Sequence, residues 1–154
     1  MQLESKVISQ SAFRKFGKVV KLSDEKPTSE AADYKFWSNI ADYNIDGPTE
    51  VGICYVYRQP VNDISGMERH LNTPEILIPI NAPFILPLLK DGIDEEPEAF
   101  LVNVGEAVII DVAVWHGACL PFGNEESSYF VIFKKCTPID DVEKKDIEKF
   151  EIVF

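Results

Sequence analysis

The chain has 154 residues and a net charge of −11, with 45% apolar residues including ten Phe and two Trp. That is enough for one domain, residues 1–154, around a sizeable core. The negative charge excludes a nucleic-acid binder, which needs a positive surface to neutralise phosphates, and no run of about 18 apolar residues offers a membrane span.

The first residues, Met1-Gln2-Leu3-Glu4-Ser5-Lys6, lack the apolar segment of a secretory signal. Cys54, Cys119 and Cys136 are odd in number and contain no CxxC pair. Both features lead us to expect a cytoplasmic protein with reduced thiols. Ser11 to Phe16 reads as one helical turn, with Ser9 as its cap and Gly17 as its stop. A strand follows from Lys18 to Leu22, and the polar stretch Ser23 to Ala32, which contains Pro27, reads as a surface loop. Asp46-Gly47-Pro48 signals a turn before the β-branched and aromatic run Val51 to Arg58. Gly66 to His70 is expected to be extended. Glu75 to Asn81 and Phe84 to Leu89 are apolar runs broken by Pro79, Pro83 and Pro87. Proline removes a ladder donor, so these belong on edges, at bulges or in separate sheets. Ala99 to Val104, Ala107 to Val112 and Tyr129 to Lys134 complete the strands, with an acidic loop at 91–98. Asp140 to Lys149 reads as a short C-terminal helix, and 150–154 as an added strand. About ten short strands without an internal repeat predict a sandwich or barrel with one end open for a site.

Only two histidines are present, His70 and His116. In an extended strand side chains alternate, so Glu68 and His70 share a face while Arg69 points to the other. Thr73-Pro74 turns the chain and returns Glu75 close to His70. Two carboxylates and an imidazole therefore converge on one spot.

These segments resemble, in outline, the jelly-roll barrels called cupins. Their first motif carries two histidines one residue apart and a glutamate further on; Glu68 stands at the first of these places, His70 at the second and Glu75 at the carboxylate. Their second motif is matched in spacing from Gly105 to His116, with Asp111 and Ala113 replacing its proline and second glycine. The sequence is more similar still to one cupin family, the ureidoglycolate lyases. The likeness runs through Ala12-Phe13-Arg14-Lys15-Phe16-Gly17, Tyr57-Arg58-Gln59-Pro60, Met67-Glu68-Arg69-His70, Ile76-Leu77-Ile78-Pro79 and Val114-Trp115-His116. It departs at Glu75, where members often have glutamine, and at Gly117, where many have a second histidine. It departs again at 34–39, where members carry a polar segment with histidine and arginine.

The resemblance implies a mainly β cupin-type double-stranded β-helix with one short C-terminal helix. The activity it implies is an enzyme splitting ureidoglycolate into glyoxylate and urea. Glu68, His70, Glu75 and His116 would hold a divalent metal, nickel, manganese, iron or zinc, and His70, His116 and Glu68 would be catalytic. Arg58 is the first choice for pairing with the substrate carboxylate, ahead of Arg69, and Trp115 would line the pocket. A homodimer acting on a small-molecule carboxylate is expected. The alternatives are a non-catalytic cupin that binds a carboxylate or sugar, and a metal cupin with a different reaction.

Overall fold

The computed structural model describes residues 1–154. Its first strand, β1 (Gln2–Val7), is followed by a single helical turn, α1 (Gln10–Phe13), which Ser9 caps by accepting a hydrogen bond from the Ala12 N–H. The strands β2 (Gly17–Val20), β3 (Ser29–Ala31), β4 (Tyr34–Phe36), β5 (Thr49–Tyr57), β6 (Asp63–Arg69), β7 (Glu75–Pro79) and β8 (Phe84–Leu89) come next. They are followed by β9 (Glu98–Val102), β10 (Ala107–Ile110), β11 (Trp115–His116), β12 (Leu120–Pro121) and β13 (Glu126–Lys134). A second helical turn, α2 (Thr137–Asp140), precedes the long last strand, β14 (Glu143–Val153).

Two sheets carry the fold. One runs β2-β10-β7-β13-β5; the other runs β11-β6-β14-β1-β9-β8-β12 and closes on itself because β11 also pairs with β8. The β8 strand shows how the core is divided. Phe84, Leu86 and Leu88 on one face join Val19, Leu77, Val108, Ile110, Phe100 and Phe13 between the sheets. Ile85 on the other face joins Ile64, Met67, Trp115, Phe150 and Ile152 inside the closed sheet. Alternation along one apolar strand thus feeds two clusters, which is why β8 has no polar position.

The mainly β, closed architecture expected from the sequence is what the chain adopts. The proline-broken runs do fall in separate sheets, β7 in one and β8 in the other. One expectation is overturned. Asp140 to Lys149 is not helical: Glu143 onward is strand, paired antiparallel with β6 and parallel with β1. The charged residues there favour a helix, but pairing and the burial of Phe150 and Ile152 decide the outcome. The helical turn lies just upstream, in α2. Part of the expected 23–32 loop is also structured, as the hairpin β3–β4 joined through Ala32-Asp33.

Two backbone positions carry opposite strain. Gly17 has φ +152, and a Cβ there would collide with the Ile109 carbonyl. Ala113 has φ +67 in the turn before β11, a left-handed conformation that an L side chain resists. This is the position where the cupin motif has glycine. Gly17→Ala is therefore expected to destabilise by about 3 kcal/mol or more, and Ala113→Gly to stabilise by about 1 kcal/mol. Chemical denaturation of both variants checks the two signs.

Candidate metal centre

Glu68 and His70 lie two residues apart at the end of β6 and face the space between the sheets. His116 closes β11, directly opposite Glu68 on one side and Leu88 on the other. Residues opposite each other in an antiparallel pair project to the same face, so His116 is delivered to Glu68 by register. Glu75 opens β7 from the opposing sheet. It is 7% exposed, a low value for a carboxylate.

The functional atoms are crowded. His70 Nε2 lies 3.3 Å from Glu75 Oε2, His116 Nε2 lies 3.0 Å from the same oxygen, and the two nitrogens are 3.4 Å apart. Ligand atoms of Glu68, His70 and His116 lie within 4.8 Å of one another. Donors bound at about 2.1 Å from one ion stand about 3.0 Å apart at a right angle and about 3.4 Å apart at the tetrahedral angle. The three short separations span that range.

Two further observations test whether these residues suit a metal. Glu75 Oε2 is fully buried and makes no hydrogen bond of acceptable geometry, although both rings stand beside it. His70 Nδ1 faces the Asp141 carbonyl oxygen at 2.7 Å and donates to it, which leaves the Nε2 lone pair of the neutral ring turned toward Glu75 and His116. A ring N–H held by a carbonyl, with the other nitrogen free, is the usual arrangement of a metal-bound histidine. The donor set of two imidazoles and carboxylates suits a first-row divalent ion. The residues fit the group.

Asp141 is the residue that sequence reasoning missed. Its carbonyl orients His70, and its carboxylate accepts the Leu71 and Asn72 N–H groups at 2.9 Å each. Burial would raise its pKa, but those two backbone donors outweigh it and hold the group below the usual carboxylate range. No motif marks this position, because it acts across 71 residues of chain.

The surrounding cavity, about 1040 Å³, is walled by β5, β7 and β13 on one side and β6, β14 and the residues after β11 on the other. It takes in all four expected ligands: Glu68, His70, Glu75 and His116. Leu77, Val131 and Phe133 give it an apolar wall. Cys119 and Tyr129 also line it, and burial pushes the thiol and the phenol well above their ordinary pKa values, so both stay protonated.

Three expected substrate contacts are not brought there. Arg58 directs its guanidinium at the Asn124 carbonyl and lies 3.6 Å from Glu125, bordering a separate small pocket. Arg69 faces away from His70, as alternation requires, and bonds Glu143 at 2.7 Å and Asp91 at 2.5 Å. Trp115 shares that far face, its indole N–H on Asp91 at 2.8 Å and Arg69 4.4 Å over its ring. Arg69 and Trp115 therefore clamp β6, β11 and β14 together from behind the cavity. They position the ligands and do not line the cavity.

The family model described as ureidoglycolate lyase matches residues 1–153. The chain belongs to the ureidoglycolate lyase family. None of the curated proteins matches the sequence of this ureidoglycolate lyase family member. Among solved structures it is similar to a mutant of Bacillus subtilis oxalate decarboxylase, with TM-score 0.47 and 17% identity over 64% of this chain and 24% of that one. It is likewise similar to the vicilin of Solanum melongena, with TM-score 0.47 and 6% identity over 64% and 26% of the two chains. The chain spans about a quarter of the length of both.

The buried pair sets a pH window. Burial alone would raise the Glu75 pKa, but His116 and His70 bring it down from 4.5 to about 2. Burial would lower the His70 pKa, but Glu75 and the Asp141 carbonyl hold it above 6.5. The Glu75 contribution is complete above pH 4.5 and is lost as pH falls toward 2; the His70 contribution is complete below 6.5 and is lost as pH rises past its folded value. Metal-free protein is thus expected to be most stable between pH 4.5 and 6.5. In Glu75→Gln the acid-side loss should shrink by roughly 3 kcal/mol at most in melts scanned across pH, leaving the part due to Asp141 and other paired carboxylates. Asp141→Ala, which frees the 70–72 turn, is expected to weaken metal affinity about tenfold to a hundredfold in competition with a chelator.

Proposed function

We propose that this lyase-family protein is a carbon–nitrogen lyase splitting ureidoglycolate, or a closely related carbinolamine carboxylate, into glyoxylate and urea. The observation that carries the reading is the meeting of His70, His116 and Glu75 within 3.4 Å, beside Glu68, in a chain whose family match spans 1–153.

The substrate's central carbon bears a hydroxyl, a carboxylate and a urea nitrogen. Its carbon–nitrogen bond breaks when the hydroxyl loses its proton, the oxygen's electron pair forms the carbonyl, and the nitrogen leaves protonated. Glu68, half-buried at the cavity wall, is the group we assign to accept the hydroxyl proton and return it to the leaving nitrogen. Glu75 stays ionised across the working pH range, so it supplies negative charge and a ligand atom, and is a poor base. His70 and His116 present Nε2 from two different strands, and the Asp141 carbonyl keeps the His70 ring from turning. Held by His70, His116 and Glu75 with Glu68 in reach, a divalent ion of nickel, manganese, iron or zinc would lower the pKa of the substrate hydroxyl as a Lewis acid. Leu77, Val131 and Phe133 limit water around the reacting carbon.

We further read the chain as one cytoplasmic domain that acts as a homodimer without nucleic acid or membrane. Val51, Ile53, Tyr55 and Tyr57 support the dimer: each is more than half exposed along β5, the outermost strand of its sheet. The free thiols of Cys54, Cys119 and Cys136 suit a reducing compartment.

Purified protein supplied with nickel, manganese or zinc should release glyoxylate from ureidoglycolate well above the spontaneous rate. His70→Ala and His116→Ala should lose both that activity and the bound ion, measured by elemental analysis. Glu68→Gln should lower kcat by about 100-fold or more. No acceleration with any of these ions, or full activity in Glu68→Gln, would sink the reading.

A further inference from the structure

We propose that Lys144 receives the substrate's carboxylate and sets the preference for an anionic substrate. The inference rests on the reaction proposed above and adds the residue that reaction still requires. Ureidoglycolate brings a permanent negative charge into a cavity already lined by Glu50, Glu68, Glu75 and Asp146. Beyond the ion proposed at the ligand cluster, a protein cation facing the carboxylate offsets their repulsion and keeps the charge paired against a partly apolar wall.

The cavity lining contains two cations besides the histidines, Lys144 and Lys145. Lys145 is engaged elsewhere: its Nζ lies 4.3 Å from the centre of the Trp115 ring and 3.9 Å from Asp91, on the far face with Arg69. The arginines are also elsewhere. Arg58 and Arg69 hold the partners described above, and Arg14 is outside the lining. Lys144 is left.

Its placement follows from register. Lys144 on β14 stands directly opposite Glu68 on β6, as Asp146 stands opposite Gly66. Cross-strand partners share a face, so Lys144 projects beside Glu68 into the cavity, while Lys145, opposite Met67, projects into the closed sheet. Lys144 forms no ion pair, whereas Lys145, the other lysine of the lining, pairs with Asp91. Its side chain is exposed at the mouth, and its four-carbon stem gives the ammonium the reach to follow an entering anion. A 2-hydroxy acid carries its carboxylate and hydroxyl on adjacent carbons. With the carboxylate on Lys144, the hydroxyl falls toward Glu68, the neighbour across the ladder. Lys144 is therefore a positioning and specificity residue, and no bond changes at its nitrogen.

The experiment uses the full chain, with and without added manganese. Calorimetric titration with oxalurate, which keeps the carboxylate and urea of the substrate but carries a carbonyl at the central carbon, is compared with its neutral amide. Wild type should bind oxalurate about tenfold or more tightly than the amide, and Lys144→Met should abolish that preference without lowering Tm. Lys144→Arg should retain most of it. In turnover, Lys144→Met should raise KM about tenfold while kcat changes much less. A Lys144→Met protein that keeps the carboxylate preference and the wild-type KM overturns the proposal, as does a wild type with no preference. If the preference depends on Lys144 but ureidoglycolate is not cleaved, the reaction assignment fails and the anion site stands.

Discussion

A strand of two residues holds the site together. β11, Trp115-His116, pairs with β6 through His116 and with β8 through both of its residues, and so closes the larger sheet on itself. Because its two side chains point to opposite faces, one closure does two things. His116 is set beside Glu68 in the cavity, and Trp115 is set behind it, against Arg69 and Lys145. The same alternation divides Glu68-Arg69-His70, with its two outer residues facing the cavity and the middle one in the clamp. A single register fixes the ligands and their support, and a slip of one residue would exchange them.

The second constraint is electrostatic. A carboxylate as buried as Glu75 is costly unless something positive stands against it. Here two imidazoles from the facing sheet approach one oxygen, and the Asp141 carbonyl holds one of those rings in place. A proton on the His70 ring sets positive charge against the oxygen in the metal-free protein, whereas a cation would do so with that ring neutral. Proton and metal therefore compete for one cluster, which ties the site's affinity to pH. A glutamine at this place would make the cluster less dependent on a cation.

Much of this was legible in the sequence, for reasons that can be named. Strand alternation put Glu68 and His70 on one face, the resemblance of 105–116 to a cupin motif pointed to the second histidine, and the prolines allowed β7 and β8 to lie in separate sheets. These are local rules, read within a dozen residues. What the sequence hid depends on distant pairing. Glu143 to Lys149 has the composition of a solvated helix, yet pairing with β6 draws it into the sheet, and β1 takes up the residues that follow. Once it is a strand, Asp141, two residues ahead of it, reaches His70 and Lys144 reaches the cavity. Arg58 looked available for a substrate because its neighbours are known from sequence alone, while its true partners, Asn124 and Glu125, come from a strand end 66 residues away.

That one change of secondary structure alters the charge logic of the site. Read as a helix, 140–149 contributes nothing to the cavity, and the cation for a substrate carboxylate must be sought among three arginines. Read as β14, it lays a charged strand along the cavity wall with Lys144 toward the cavity and Lys145 away from it, in step with Glu68 and Met67. The charged surface of β14 then has two distinct uses. Glu143 and Lys145 complete the clamp around Trp115, and Lys144 and Asp146 set the polarity of the mouth. An acidic cavity admits an anion only if positive charge meets it before the carboxylates do, and an exposed lysine at the rim stands where that meeting occurs.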